Sequence, residues 1–239
     1  QFDKADCKVF VDGTGKILMP GLVNGHCHGD MTLARGLGDD LTLAEQNEKF
    51  ADTGWFYTLI SDEDRYYSRQ LTYCEALLSG TTFIMENMYW GLGERSVEAM
   101  KEIGIRGALA EDIRVDFAKP DVFISEEFLN SYVEKCKENG RIPVLGGISE
   151  EDYDTDRLKR IQEVARKHNM MTTCHLAENT WRRDIVEKKY QTTAIDYLYR
   201  NGLLDEKIIG SHVVYATDEE VRQLAETDTK VVNTPLCEM

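Results

Sequence analysis

The chain has 239 residues, which is long enough to bury a substantial core, and 28 basic against 43 acidic residues give it a formal charge of -15. This charge opposes binding to a nucleic-acid backbone, and no uninterrupted apolar stretch is long enough to span a bilayer. The six cysteines lie singly, and no secretory signal stands at the amino end. We therefore expect a cytoplasmic protein with reduced thiols that binds neither nucleic acid nor a membrane.

Short apolar or β-branched segments alternate along the chain with longer segments of helical period. Strands are predicted at 22–28, 81–88, 105–112, 142–148, 170–176, 207–215 and 230–234. Helices are predicted between them, at 62–79, 94–104, 125–139, 155–169, 181–201 and 218–227. Strands that alternate with helices pair in parallel, and seven such units indicate an α/β fold. We predict a TIM-type (β/α)8 barrel that is truncated before strand eight.

The first predicted strand ends in two histidines that are one residue apart, His26 and His28. Residues two apart on a strand face the same side, so both imidazoles project in one direction. Two imidazoles on one rigid strand are typical of a metal site. The other interpretation of an isolated His-x-His is a surface or core pair.

Two of the remaining three histidines also end predicted strands. His175 closes one apolar segment and is followed three residues later by Glu178, while His212 lies in another apolar segment. His168 falls among polar residues, where we interpret it as the solvated end of a helix. A TIM-type barrel collects its active-site side chains at the carboxyl ends of the strands. The strand-end histidines, together with Glu178, therefore predict a metal site.

Three segments of the chain resemble one known group of enzymes. Residues 20–28 (Pro-Gly-Leu-Val-Asn-Gly-His-Cys-His) and 31–41 are similar to the opening of the metal-dependent deaminases and chlorohydrolases of the amidohydrolase superfamily, which act on adenosine derivatives, guanine, cytosine and related rings. Residues 175–178 resemble the strand-five His-x-x-Glu motif of that group, and residues 210–212 resemble its strand-six region. Order and spacing agree over nearly the whole chain.

The resemblance implies a site with one divalent metal ion, usually zinc and sometimes iron. His26, His28 and His175 would hold it together with an aspartate from strand eight, and the ion would supply hydroxide from its bound water. Glu178 would move a proton to the ring nitrogen, and His212 would stabilise the developing oxygen charge. A carboxylate at a helix start and a buried histidine satisfied by the backbone are the other interpretations of these two residues.

The implied activity is hydrolytic deamination of a small nitrogen heterocycle such as a purine, pyrimidine or pterin, with release of ammonia. A triazine-type hydrolase that displaces chloride or an alkylamine is one alternative, and a non-catalytic subunit or binding module on the same barrel is another. The small-molecule substrate is the expected ligand, and we also expect a homo-oligomer, a dimer.

Two motifs depart from the pattern of the group. Nucleoside-acting members carry a Gly-Pro-His-Ser type motif where this chain has Gly-Gly-Ile-Ser-Glu-Glu at 146–151, which argues against an adenosine-like substrate. The usual His-Asn-Pro after strand seven is replaced by Asn-Thr-Pro at 233–235.

The ends of the chain suggest two units. Residues 1–16 resemble the last part of a small β-sandwich domain, and residues 17–239 resemble an incomplete hydrolase barrel. A barrel without strand eight would leave two strand edges unpaired and would lack the fourth metal ligand. We therefore expect this chain to be a fragment that is unstable alone, binds metal weakly and shows no deaminase activity by itself.

Loops after the first two strands hold the remaining candidates. Arg35, Asp39 and Asp40 are interpreted as solvated loop residues. Aromatic and apolar side chains nearby would either form the wall of a slot for a flat ring or pack helices onto the barrel. These are Trp55, Phe56, Tyr57, Met88, Tyr89 and Trp90.

Overall fold

A computed structural model describes residues 7–51, 59–87, 93–112, 123–150 and 154–235. The strands in these ranges are β1 (Leu22–Cys27), β2 (Thr81–Asn87), β3 (Arg106–Asp112), β4 (Ile142–Ile148), β5 (Met171–Leu176), β6 (Ile208–His212) and β7 (Lys230–Val232). The α-helices are α1 (Leu43–Gln46), α2 (Asp62–Leu78), α3 (Gly93–Ile103), α4 (Glu126–Glu138), α5 (Thr155–Lys167), α6 (Thr180–Tyr190), α7 (Ala194–Arg200) and α8 (Asp218–Glu226). A 3₁₀-helix (Gly29–Ala34) and a π-helical turn (Asn47–Ala51) follow β1 and α1.

The seven strands form one parallel sheet in chain order, each paired with the next. Parallel neighbours need a crossover connection, and helices fill the crossovers as the alternating pattern predicts. The sheet curls into a nearly closed barrel, since a Cβ added at Gly25 in β1 would lie 2.9 Å from Val232 Cγ1 in β7. The predicted TIM-type barrel is thereby confirmed for the seven strands of the described residues.

Side chains alternate between the two faces of each strand and so form two separate layers of the hydrophobic core. Ile84, Leu109 and Leu145 face outward and pack with helix residues such as Tyr73 and Tyr132 in one large cluster. Their neighbours in sequence form a second, smaller cluster that contains strand residues alone and therefore lies inside the barrel: Met85, Ala108, Ala110 and Val144. On β2 this alternation turns Glu86 outward and Asn87 inward.

The single helix predicted at 181–201 is wrong, because the chain forms α6 and α7 with a break between them. Gln191 adopts a left-handed conformation, with a φ of 56°, and ends α6. The next two residues are β-branched threonines, which favour a helix less than straight-chain residues do. The Thr192 hydroxyl donates to the Asp196 side chain at the start of α7.

Three further expectations concern His168, the amino-terminal residues and membrane-spanning helices. His168 ends α5 as predicted, although its side chain is half-buried. Residues 7–16 form neither a strand nor a helix, so their assignment to a second domain stays a prediction. In the ranges described above, none of the helices combines the length and apolarity that crossing a membrane requires.

Candidate metal centre

Three histidines from two strands converge at the carboxyl end of the barrel. We call His26, His28 and His175 the histidine cluster, because one potential ligand atom from each lies within 4.8 Å of the others. The ring centroid of His26 is 4.9 Å from that of His28 and 5.0 Å from that of His175. The structure thus brings together the three residues that the resemblance assigns to a metal.

The nitrogen geometry of this cluster fits a divalent ion. His28 Nδ1 lies 3.2 Å from the backbone oxygen of Asn87, and since a carbonyl only accepts, the ring carries its proton on Nδ1 and its lone pair on Nε2. His28 Nε2 faces His175 Nε2 at 3.3 Å. Nitrogens bound tetrahedrally to zinc at about 2.0–2.1 Å are separated by about 3.3 Å. The spacing of the two rings therefore matches that of two zinc ligands.

The cluster is held in the uncharged state that metal ligands need. Burial lowers the pKa of His26 to about 2, with smaller contributions from His28, His212 and Arg182. Burial also lowers the pKa of His28 and takes the pKa of His175 well below its ordinary value. The rings are therefore neutral near pH 7, and no proton has to leave before an ion binds.

The two residues predicted to be catalytic lie beside this cluster. The His212 ring centroid is 5.0 Å from that of His26 and 5.4 Å from that of His175. His212 Nε2 is 3.9 Å from Glu178 Oε2, and the same carboxylate pairs with Arg182 one turn further along α6. Glu178 is half-buried just beyond β5, where one carboxylate oxygen is fixed by an arginine.

The backbone is strained where β5 and β6 meet this site. Ala177, His212 and Val213 have φ values of 49°, 81° and 56°, a region that costs a residue with a side chain about 1–3 kcal/mol. Hydrogen bonds between the two strand ends maintain it, because Val213 N donates to Leu176 O at 2.8 Å. Strain of this kind is concentrated at functional sites.

Sequence reasoning missed the polar residues that surround the predicted ones. Thr234 Oγ1 lies 2.7 Å from His212 Nδ1, and its only signal was the altered Asn-Thr-Pro motif. Glu150 accepts hydrogen bonds from the backbone N–H of Ala177 at 2.5 Å and of Glu178 at 3.3 Å, which fixes the turn that carries Glu178. Burial raises the pKa of the Glu150 carboxyl to about 7.

A buried ionic cluster of Asp30, Arg69, Tyr73 and Glu86 lies on the other side of β1 and β2. Arg69 Nε donates to Glu86 Oε1 at 2.6 Å, Arg69 Nη2 is 3.5 Å from Asp30 Oδ2, and the Tyr73 hydroxyl donates to Glu86. None of the four side chains is exposed. Because Asp30 comes two residues after His28, this cluster attaches the histidine strand to α2.

Arg35, Asp39 and Asp40 are exposed to solvent, as predicted. Arg35 pairs with Glu75 at 2.7 Å in an exposed salt bridge. The candidates for a ring-binding slot lie outside the described residues: Trp55, Phe56, Tyr57, Met88, Tyr89 and Trp90.

Comparison with known proteins assigns the chain to a family. Residues 17–239 match the amidohydrolase family. The chain belongs to that family. The 5'-deoxyadenosine deaminase of Methanosphaera stadtmanae is 31% identical over 240 residues, which cover 98% of this chain and 55% of that protein. The chain therefore spans about half the length of the curated relatives it matches.

Solved structures of two enzymes share this fold. An adenosine deaminase from Xanthomonas campestris with bound zinc has a TM-score of 0.74 and 23% identity, over 91% of this chain and 49% of that one. Atrazine chlorohydrolase TrzN from Arthrobacter aurescens, complexed with zinc, has a TM-score of 0.70 and 18% identity, over 90% of this chain and 53% of that one.

Proposed function

We propose that the protein is a metal-dependent hydrolytic deaminase of a small nitrogen heterocycle. The observation that carries the proposal is the convergence of the histidine cluster with Glu178 and His212 at one end of the barrel. Relatives named as deaminases of adenosine derivatives favour an adenine-type ring, although residues 146–151 depart from the motif of nucleoside-acting members. We also propose that the protein is a homodimer, which light scattering would test.

The chemistry divides between the ion and the side chains. His26, His28 and His175 would hold a divalent cation, zinc or iron, which makes water a nucleophile near neutral pH. Glu178 would take one proton from the attacking water and deliver it to the ring nitrogen beside the amino-bearing carbon. Carbon–oxygen bond formation and carbon–nitrogen cleavage, with the second water proton leaving on the amino group, would convert water and the amino heterocycle into the oxo heterocycle and ammonia.

His212 and Arg182 prepare the site for this step. When the Thr234 hydroxyl donates to His212 Nδ1, the ring proton is on Nε2 and can stabilise the developing oxygen charge. Arg182 pairs with Oε2 of Glu178 and thereby limits the rotation of the carboxylate.

Ammonia release by the complete protein from a purine, pyrimidine and pterin panel tests the proposal, with adenine nucleosides first. Glu178→Gln should keep its zinc and lose turnover by about a hundredfold or more, because the proton shuttle is removed without a metal ligand. Glu163→Gln, an exposed carboxylate on α5, is the matched control and should retain activity.

Other products would change the assignment. Release of chloride or an alkylamine from triazines without any ammonia would favour the triazine-type reaction. Zinc-loaded protein that turns over neither class would favour a binding module. A near wild-type rate in Glu178→Gln would contradict the proton shuttle.

A further inference from the structure

Asn87 contacts the rings of both histidines on the neighbouring strand. It is the last residue of β2, points into the barrel and is only 2% exposed. Its backbone oxygen lies 3.2 Å from His28 Nδ1, and its side-chain Nδ2 lies 2.9 Å from His26 Nδ1. One residue therefore contacts Nδ1 in two of the three rings of the histidine cluster.

The two contacts differ chemically. The backbone carbonyl can only accept, so the lone pair of His28 is always on Nε2, where a metal can use it. The side-chain amide has a donor and an acceptor that exchange places when the group turns by about 180°. The protonation of His26 is therefore not fixed by geometry alone.

Each orientation of the amide selects one tautomer of His26. With Nδ2 toward the ring, His26 Nδ1 accepts and the proton of the neutral imidazole is on Nε2. With Oδ1 toward the ring, Nδ1–H donates and the lone pair is on Nε2. Because Nδ1 is occupied by Asn87, Nε2 is the nitrogen that remains for an ion.

We propose that Asn87 is a positioning residue for the metal. Its backbone oxygen and its side-chain amide each contact Nδ1 of one ring, so Nε2 of His28 and, with Oδ1 toward the ring, Nε2 of His26 present their lone pairs to the ion. An aspartate at this position would only accept and would hold His26 in the ligand tautomer throughout. This inference rests on the metal centre of the proposed function.

Nitrogen-15 NMR of the histidine rings tests the positioning. In zinc-loaded wild-type protein and in zinc-loaded Asn87→Asp, the protons of His26 and His28 should be on Nδ1, with Nε2 bound to zinc. A His26 ring that binds zinc through Nδ1 would overturn the proposal.

Zinc affinity, measured by competition with a chelator, gives the second readout. Asn87→Ala should weaken binding by about 10–100-fold, the usual effect of losing a partner of a ligating histidine, and Asn87→Asp should restore or exceed wild-type affinity. Asn24→Ala is the matched control, because Asn24 Oδ1 accepts from the backbone N–H of His26 at 3.0 Å and leaves the ring contact intact. Its zinc affinity should stay close to that of the wild type.

The outcomes separate this inference from the proposed function. If wild type and Asn87→Ala bind zinc equally well, Asn87 has no positioning role, while the deaminase proposal stands. If the complete wild-type protein binds neither zinc nor iron, both proposals fail. Thermal unfolding of each variant shows whether it is folded before its affinity is compared.

Discussion

At the ends of β1 and β2, buried polar groups lie on both faces of the sheet. The two faces stabilise these groups in opposite ways. On the inner face, the histidine cluster is neutral, because burial lowers its pKa values. On the outer face, Arg69 and Glu86 are in direct contact as an ion pair, with Asp30 close by. A buried charge is tolerated where an opposite charge and hydrogen bonds compensate it. The inner face keeps nitrogens ready for an added cation, and the outer face supplies its own cation.

His26→Ala should have the largest effect on metal and a small effect on the fold. Removing a neutral ring takes away a ligand but leaves no uncompensated charge, so zinc should be lost while the thermal transition of the zinc-free protein changes little. Elemental analysis after dialysis measures the zinc. His168→Ala, at the end of α5, is the control and should retain it. Undiminished zinc in His26→Ala would contradict the histidine cluster as a metal site.

Arg69→Met should have a large effect on the fold and a small effect on metal binding. It leaves Glu86 and Asp30 buried without their cation, and breaking a buried pair in this way costs about 3–5 kcal/mol of unfolding free energy. Urea unfolding measures the loss. Arg166→Met, which removes a surface pair with Asp205, should cost only about 0–1 kcal/mol. Equal effects of the two variants would show that the ionic cluster does not support the fold.

Lowering the pH should destabilise the zinc-free protein, with a smaller effect than that of Arg69→Met. The three histidines have lowered pKa values in the folded state, so the unfolded chain binds more protons at these residues as the pH falls below about 6.5. Glu86 and Glu150 act in the opposite direction, because their pKa values are raised to about 7 and the folded state binds those protons first. The unfolding free energy should therefore fall as the pH falls, because three histidines act in this direction and these two carboxyl groups act against it.

Urea unfolding in the presence of a chelator, at about pH 6 and about pH 5, checks this slope. The expected result is a lower unfolding free energy at the more acidic value. A free energy that rises or stays constant over this interval would show that the histidine cluster is not kept neutral by burial.

Most of the barrel could be predicted from periodicity, because alternation and helix caps are local properties of the sequence. Each observed strand begins within one residue of its predicted start. The break between α6 and α7 was missed, since nothing in the hydrophobic pattern marks the left-handed turn at Gln191.

The candidate site was predictable only in part. The positions of His26, His28, His175 and His212 follow from strand ends and from the rule that barrels collect function there. The contacts of Asn87 and Thr234 depend on the register between strands, which the sequence does not specify. A shift of one residue in β2 would exchange Asn87 and Glu86 between the two faces.

The distances along the chain between the site residues have a consequence for folding. His28 and His175 are 147 residues apart, and the Thr234 contact joins β6 to the segment after β7. Such non-local contacts form late, because long loops must close before any interaction compensates their entropy. A chain in which these contacts have not yet formed can therefore bind an ion through at most two adjacent imidazoles, those of His26 and His28. Tight zinc uptake during refolding would report completion of the barrel, and it would do so later than any signal from a single helix.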